Sequence, residues 1–67
     1  MEGTLRKNIS IGTEVDIVLK KDQGTGFTTN GFVKRILTTA PKHPHGIKVQ
    51  LDTGEVGRVK RIYDYEA

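Results

Sequence analysis

The segment Gly46-Ile-Lys-Val-Gln-Leu-Asp-Thr-Gly-Glu-Val-Gly-Arg-Val-Lys-Arg-Ile62 constrains the fold more than any other part of the chain. Ile47, Val49 and Leu51 alternate with Lys48 and Gln50. A period of two places one row of side chains inside and the other in solvent, as in a half-buried strand. Asp52-Thr53-Gly54 then supplies a hairpin connection in which Gly54 takes a positive φ. Val56, Val59 and Ile62 return along a second strand, off strict alternation, with Gly57 as the expected bulge. Lysines and arginines fill the polar positions, so the hairpin predicts an all-β domain with a basic outer surface.

The rest of the chain repeats this grammar. Val15, Ile17 and Leu19 alternate with Asp16, Val18 and Lys20, and Ile9 and Ile11 are expected to pack across one end of the same core. Lys20-Lys21-Asp22-Gln23-Gly24-Thr25-Gly26 is polar and glycine-rich and reads as a loop. Either Phe27 to Thr29 forms a short strand closed by a tight turn at Asn30-Gly31, or Gly31 simply opens the next strand. Gly31 to Thr38 is a strand in both versions. Its apolar residues Val33 and Ile36 are three apart, which predicts a bulge at Lys34-Arg35. Thr39-Ala-Pro-Lys-His-Pro-His-Gly46 carries both prolines and must be a loop. No window combines helical apolar spacing with a capping residue. The expected organisation is a flexible N-terminus at 1–8 with Met1 to Lys7 frayed, one domain at 9–62, and a C-terminal tail at 63–67 in which Tyr63-Asp64-Tyr65 adds one short turn.

Length decides the architecture. A 67-residue chain is one domain, and a domain of this size buries only ~60% of the surface its unfolded chain exposes. Four or five short strands cannot build a sandwich here, but they can close into a barrel whose corners are turned by bulges. The expected fold is a small SH3-like barrel of four to five short antiparallel strands, with a reduced OB-like barrel second. The chain has no cysteine, which removes disulfides and thiolate metal sites and fits a reducing compartment. Its longest aliphatic run, Ile17-Val18-Leu19, is far short of a membrane span, and no apolar signal-peptide stretch opens it. A soluble, cytoplasmic monomer is expected.

Charge points to the partner. Eleven basic and eight acidic residues give a net charge of +3, but Glu2, Asp64 and Glu66 lie at the ends. Between Leu5 and Ile62 the eleven basic residues face only five acidic ones. A body this basic favours an anionic partner, nucleic acid being the commonest. The plainer explanation is that these cations only solvate outward strand faces.

Lys34, Arg35, Lys48, Arg58, Lys60 and Arg61 fall on three consecutive strands, where outward members would form one phosphate-neutralising surface. Lys34 and Arg35 point to opposite faces unless the bulge realigns them. Arg58 is the best single candidate, since Gly57 beside it gives a ligand access to backbone; its competing role is an ion pair with Glu55 or Asp52 across the hairpin. Phe32, out of phase with Val33, would be a stacking platform beside Lys34, whereas Phe27 is expected in the core. The tyrosines are expected across a barrel end with hydroxyls reaching water. The loop His43-Pro44-His45-Gly46, with His43 foremost, is a candidate for stacking or a phosphate contact; its plainer role is a rigid surface connection with Lys42 and His43 exposed. Two histidines at i and i+2 fall short of a zinc site, so no metal is expected.

Other motifs carry less. Lys20 to Gly26 lacks the Gly-Lys-Ser/Thr and the following helix of a nucleotide cradle, and belongs to a binding rim. Asp52-Thr53-Gly54 spells the aspartic-protease triplet but is explained as a turn. With no nucleophile–base pair, carboxylate pair or metal cluster, neither enzyme activity nor a cofactor or small-molecule substrate is expected. The expected function is nucleic-acid binding, RNA favoured. The alternative is a protein-interaction module taking a peptide at an SH3-like groove or a sheet edge.

A family resemblance accompanies this reading. Ile9-Ser-Ile-Gly-Thr-Glu-Val-Asp-Ile-Val-Leu-Lys-Lys-Asp-Gln, Thr25-Gly26, Gly31-Phe-Val-Lys-Arg-Ile-Leu-Thr, His43-Pro-His-Gly-Ile-Lys-Val-Gln-Leu and Gly54-Glu-Val-Gly-Arg-Val resemble the YwbE family of small prokaryotic proteins. That family is described as a domain of unknown function, so the resemblance brings no catalytic residues. Gly12-Thr-Glu-Val-Asp-Ile and Gly31-Phe-Val-Lys-Arg-Ile also resemble the two halves of a KOW-type motif, here with a longer insert between them. That motif occurs in SH3-like barrels of ribosomal proteins and transcription elongation factors, and it implies the fold only.

Overall fold

Among the described residues nine aliphatic side chains are buried and define the interior: Ile9, Val15, Ile17, Val33, Ile47, Val49, Leu51, Val59 and Ile62. Seven of them are inward positions of four strands, β1 (Glu14–Leu19), β2 (Thr29–Ile36), β3 (Lys48–Leu51) and β4 (Val56–Ile62). The computed structural model describes residues 3–63. Within it each strand pairs antiparallel with the next in chain order, and β4 pairs back onto β1, so the sheet closes into a barrel. This is the small SH3-like barrel expected from sequence. The plain meander order lacks the Greek-key path of an OB barrel, which removes the second architecture. Burying one such side chain contributes ~1.5–3 kcal/mol. A core in so small a domain rarely supplies more than ~3–5 kcal/mol net, so each of the nine matters to folding.

Two bulges turn the corners. Between β2 and β3 the register passes from Val33↔Leu51 to Arg35↔Gln50, leaving Lys34 as the extra residue, as the sequence predicted. Between β1 and β4 it passes from Asp16↔Arg61 to Ile17↔Val59, which makes Lys60 the extra residue. The bulge expected at Gly57 is therefore displaced. Gly57 pairs regularly with Leu19 and Val49, and it is glycine for another reason: a Cβ there would stand 2.5 Å from the Val18 carbonyl oxygen. Each bulge brings two consecutive basic residues, Lys34-Arg35 and Lys60-Arg61, to the exterior.

Several local expectations change. Asn30 and Gly31 lie inside β2 and make no tight turn; the strand begins at Thr29, so Phe27 remains in the preceding loop. Phe27 is 70% exposed and Ile11 64% exposed, against their expected places in the core. Ile9 is buried as expected. The segment expected to fray is docked from Gly3 onward: Ile47 N–H donates to Gly3 O at 2.7 Å, His43 N–H to Thr4 O at 2.9 Å, and Arg6 N–H to Pro41 O at 2.9 Å. Met1 and Glu2 lie outside the described residues, as do Asp64 and Tyr65. Single 3-10 turns at Arg6–Asn8 and Lys20–Asp22 complete the described elements. Among the described residues no helix is long and apolar enough to cross a membrane.

Candidate nucleic-acid interface

Strand pairing sets the first row of the site. Val18 on β1 opposes Arg58 on β4, and Arg58 opposes Lys48 on β3. Arg58 is half-buried, and its Nη1 donates to the Gly46 carbonyl at 3.3 Å and to Thr38 Oγ1 at 3.4 Å. Its hydrogen bonds thus run to the loop before β3 and to Thr38, away from the Glu55 and Asp52 expected as partners. Gly46 makes that approach possible. Its φ is 101° and a Cβ there would collide with the Val59 carbonyl, so only glycine lets the loop lie this close to β4.

The same loop places the histidines. Gly46 N–H donates to His43 O at 3.0 Å, closing a turn over Pro44-His45. His45 N–H donates to His43 Nδ1 at 3.1 Å, so the neutral ring carries its proton on Nε2. Loss of solvent around the ring lowers the His43 pKa below its ordinary 6.5, helped by the Arg58 charge and by His45. The two imidazoles are 5.8 Å apart and inclined at 48°.

Opposite them stands the insert between β1 and β2. Thr25 Oγ1 donates to Asp22 O at 2.7 Å and accepts from Phe27 N–H at 3.3 Å, which folds the loop back on itself. The two walls enclose a groove of about 720 Å³. It is lined by Val18 and Val59, by Arg58, Lys60, His43 and His45, and by Asp22, Gln23, Thr28 and Phe27 of the insert. Phe27 therefore offers an uncovered ring to the groove that holds Arg58 and Lys60.

The structure divides the expected basic face. Arg58, Lys60 and His43 share the groove, and Lys48 adjoins Arg58 on the neighbouring strand. Lys34 and Arg35 are exposed on β2, with Arg35 opposite Gln50, so β3 separates them from Arg58. Phe32 is exposed, as its phase predicted, but it opposes Glu14 and does not line the groove. Arg61 opposes Asp16, and its guanidinium lies 5.0 Å from the Tyr63 ring centre. There Tyr63 Oη donates to Asp16 Oδ2 at 2.7 Å, which raises the hydroxyl pKa above its usual 10. The Tyr63 hydroxyl thus has a protein partner in place of the water expected for it. Asn30 Nδ2 donates to Glu14 Oε2 at 2.9 Å and Asp16 Oδ1 at 3.1 Å. Arg61 consequently belongs to a carboxylate-rich patch.

The sequence reading missed Phe27 at this groove by placing it in the core, whereas His45 belongs to the 43–46 loop already read as a candidate contact. Phe27 had a signal, since it follows Gly24 and Gly26 and joins no apolar alternation. Asp52-Thr53-Gly54 is a turn as expected: Gly54 N–H donates to Leu51 O at 2.9 Å and Leu51 N–H to Glu55 O at 2.8 Å. The Thr53 hydroxyl donates to the Glu55 carboxylate and lowers its pKa. Among the described residues no three His, Cys, Asp or Glu side chains gather into a metal site.

Fold and surface together define a small closed β-barrel with a basic groove edged by one exposed aromatic. The chain belongs to the family described as Uncharacterized conserved protein (DUF2196), whose model matches residues 2–62. It is 56% identical over 62 residues to the Uncharacterized protein YwbE of Bacillus subtilis (strain 168), covering 92% of this chain and 95% of that protein. The YwbE resemblance read from the motifs thus extends over nearly the whole chain. No solved structure matches it.

Proposed function

We propose that this chain is a non-enzymatic, cytoplasmic nucleic-acid-binding module that takes single-stranded RNA in the groove between the 20–28 loop and β4. One observation carries the reading: Arg58, Lys60 and the uncovered Phe27 line the same groove. Cations beside an exposed ring are what a flexible strand needs, phosphates being neutralised while a base stacks. Lys48 extends the positive potential along the outer face of β3. Asp22, Gln23 and Thr28 supply polar partners for 2′-hydroxyls, the groups by which proteins distinguish RNA from DNA. The closed strand order, in which each strand has two neighbours, favours this reading over the edge-addition form of the protein-binding alternative. The monomer is the proposed binding unit, since the groove is built from one chain.

The test is amide chemical-shift mapping with pools of short RNA and DNA oligonucleotides, first at low and then at moderate salt. Shifts on Lys48, Arg58, Lys60, Phe27 and the 43–46 loop that fade with salt are expected. No shifts at low salt would refute the proposal and direct the search to a protein partner.

A further inference from the structure

We infer that the strand-binding surface continues past the groove, over Thr38, onto the docked N-terminal segment, where Arg6, Lys7 and Lys42 hold further phosphates of the same strand. The inference rests on the nucleic-acid reading above and extends it to a surface that the strand pattern does not contain.

Thr38 is the junction. Its Oγ1 accepts from Lys48 N–H at 2.8 Å and from Arg58 Nη1 at 3.4 Å, while its carbonyl accepts from Arg6 Nε at 3.1 Å. Two guanidinium groups, one from β4 and one from the N-terminal segment, therefore flank a single residue. Arg6 uses its Nε–H for this anchor and keeps its Nη donors for a phosphate, the fork geometry that suits such an anion. An antiparallel bridge between Leu5 and Lys42 fixes the next pair of cations. It brings Lys42 beside Arg6 and Lys7 around a second groove of about 430 Å³, completed by Leu5, Thr39 and Pro41. All three cations are exposed. Among the described residues lining the two grooves, Asp22 is the single acid, against Arg6, Lys7, Lys42, Arg58 and Lys60. The five acidic residues of the described chain otherwise lie on β1 and in the hairpin turn. A track of five cations against the single Asp22 carboxylate follows a backbone of several phosphates better than it fits one compact anion. Single strands occupy ~4–16 nucleotides on small barrels of the OB type, so a second set of contacts beyond the groove is in scale.

Oligouridylates of three and ten nucleotides separate the parts of this surface. Lys7→Glu with Lys42→Glu should weaken ten-nucleotide binding at least tenfold at low salt and leave trinucleotide binding unchanged. The charge-neutralising pair Lys7→Gln with Lys42→Gln should reduce the magnitude of the log K against log salt slope by about 1.4, from ~0.7 per lost phosphate contact. Arg58→Glu with Lys60→Glu should weaken both lengths. An unchanged thermal midpoint in each variant shows that the barrel is intact, and the Gln pair repeats the length comparison if the Glu pair does not fold. Wild-type affinity of the Lys7/Lys42 variants for both lengths would overturn the extended track while leaving the groove assignment standing. Equal loss at both lengths would overturn it too, as a field effect without local contact. A wild-type protein that binds neither length would refute the nucleic-acid reading itself, and the track with it.

Discussion

Arg58 donates to the Gly46 carbonyl across 3.3 Å, and this contact ties the outer face of β4 to the loop that carries both histidines. Arg58 and the two histidines of that loop all line the groove. Gly46 sits at φ 101° with no room for a Cβ against Val59. Gly46→Ala should therefore destabilise the barrel by at least about 1–3 kcal/mol, the usual cost of a strained backbone conformation. Urea unfolding measures this, and an unchanged midpoint would show that the loop relaxes without penalty.

His43 should titrate below 6.5 in the free protein, because it loses solvent, faces Arg58 and lies beside His45. The folded pKa being the lower one, the unfolded chain binds more protons between the two values. The His43 contribution to stability is then complete above about 6.5 and is lost as pH falls through the folded value. Lys60 and Asp22 border the same groove and complete its charge set. Proton NMR of the His43 ring gives the midpoint, and Arg58→Gln should move it upward. A midpoint at or above 6.5 in the wild type would contradict the geometry.

Phe27→Ala should leave stability nearly unchanged, since its ring is 70% exposed. It should reduce oligonucleotide affinity by ~1–3 kcal/mol, the range for one lost base stack. Phe32→Ala, on the other side of the barrel, should leave affinity unchanged. Equal effects from the two substitutions would place the strand elsewhere.

Ile17→Ala removes a fully buried side chain at the centre of the sheet. The expected loss of about 2–5 kcal/mol rivals the entire net stability of a small domain, so the variant should be largely unfolded at 25 °C. Circular dichroism decides it, and a cooperative transition near the wild-type midpoint would show that the core tolerates the cavity.

The residues that could be read from sequence are those whose side chains record the pleat. Val33 and Ile36, three apart, located the Lys34 bulge correctly. Val59 and Ile62 have the same spacing and mark the Lys60 bulge, but Gly57 offered a more familiar signal three residues too early. The docking of Gly3, Thr4 and Arg6 uses backbone hydrogen bonds, which leave no pattern in side-chain type, so the segment looked loose. The partner of Arg58 was hidden for the same reason: it is a carbonyl brought near by a glycine, where the sequence displayed only Glu55 and Asp52. The basic surface was visible as composition but not as shape. Closure of the barrel distributes it, giving Arg58, Lys60 and His43 to one groove, Lys34 and Arg35 to β2, and Arg61 to the Asp16 patch.

The most direct measurement is the affinity of the wild-type chain for a ten-nucleotide single-stranded RNA across a salt series. Three to five phosphate contacts predict a log K against log salt slope of about −2 to −3.5, with both affinity and slope reduced in Arg58→Glu with Lys60→Glu. No measurable affinity at low salt, or an affinity that the double variant retains, would contradict a nucleic-acid groove on this barrel.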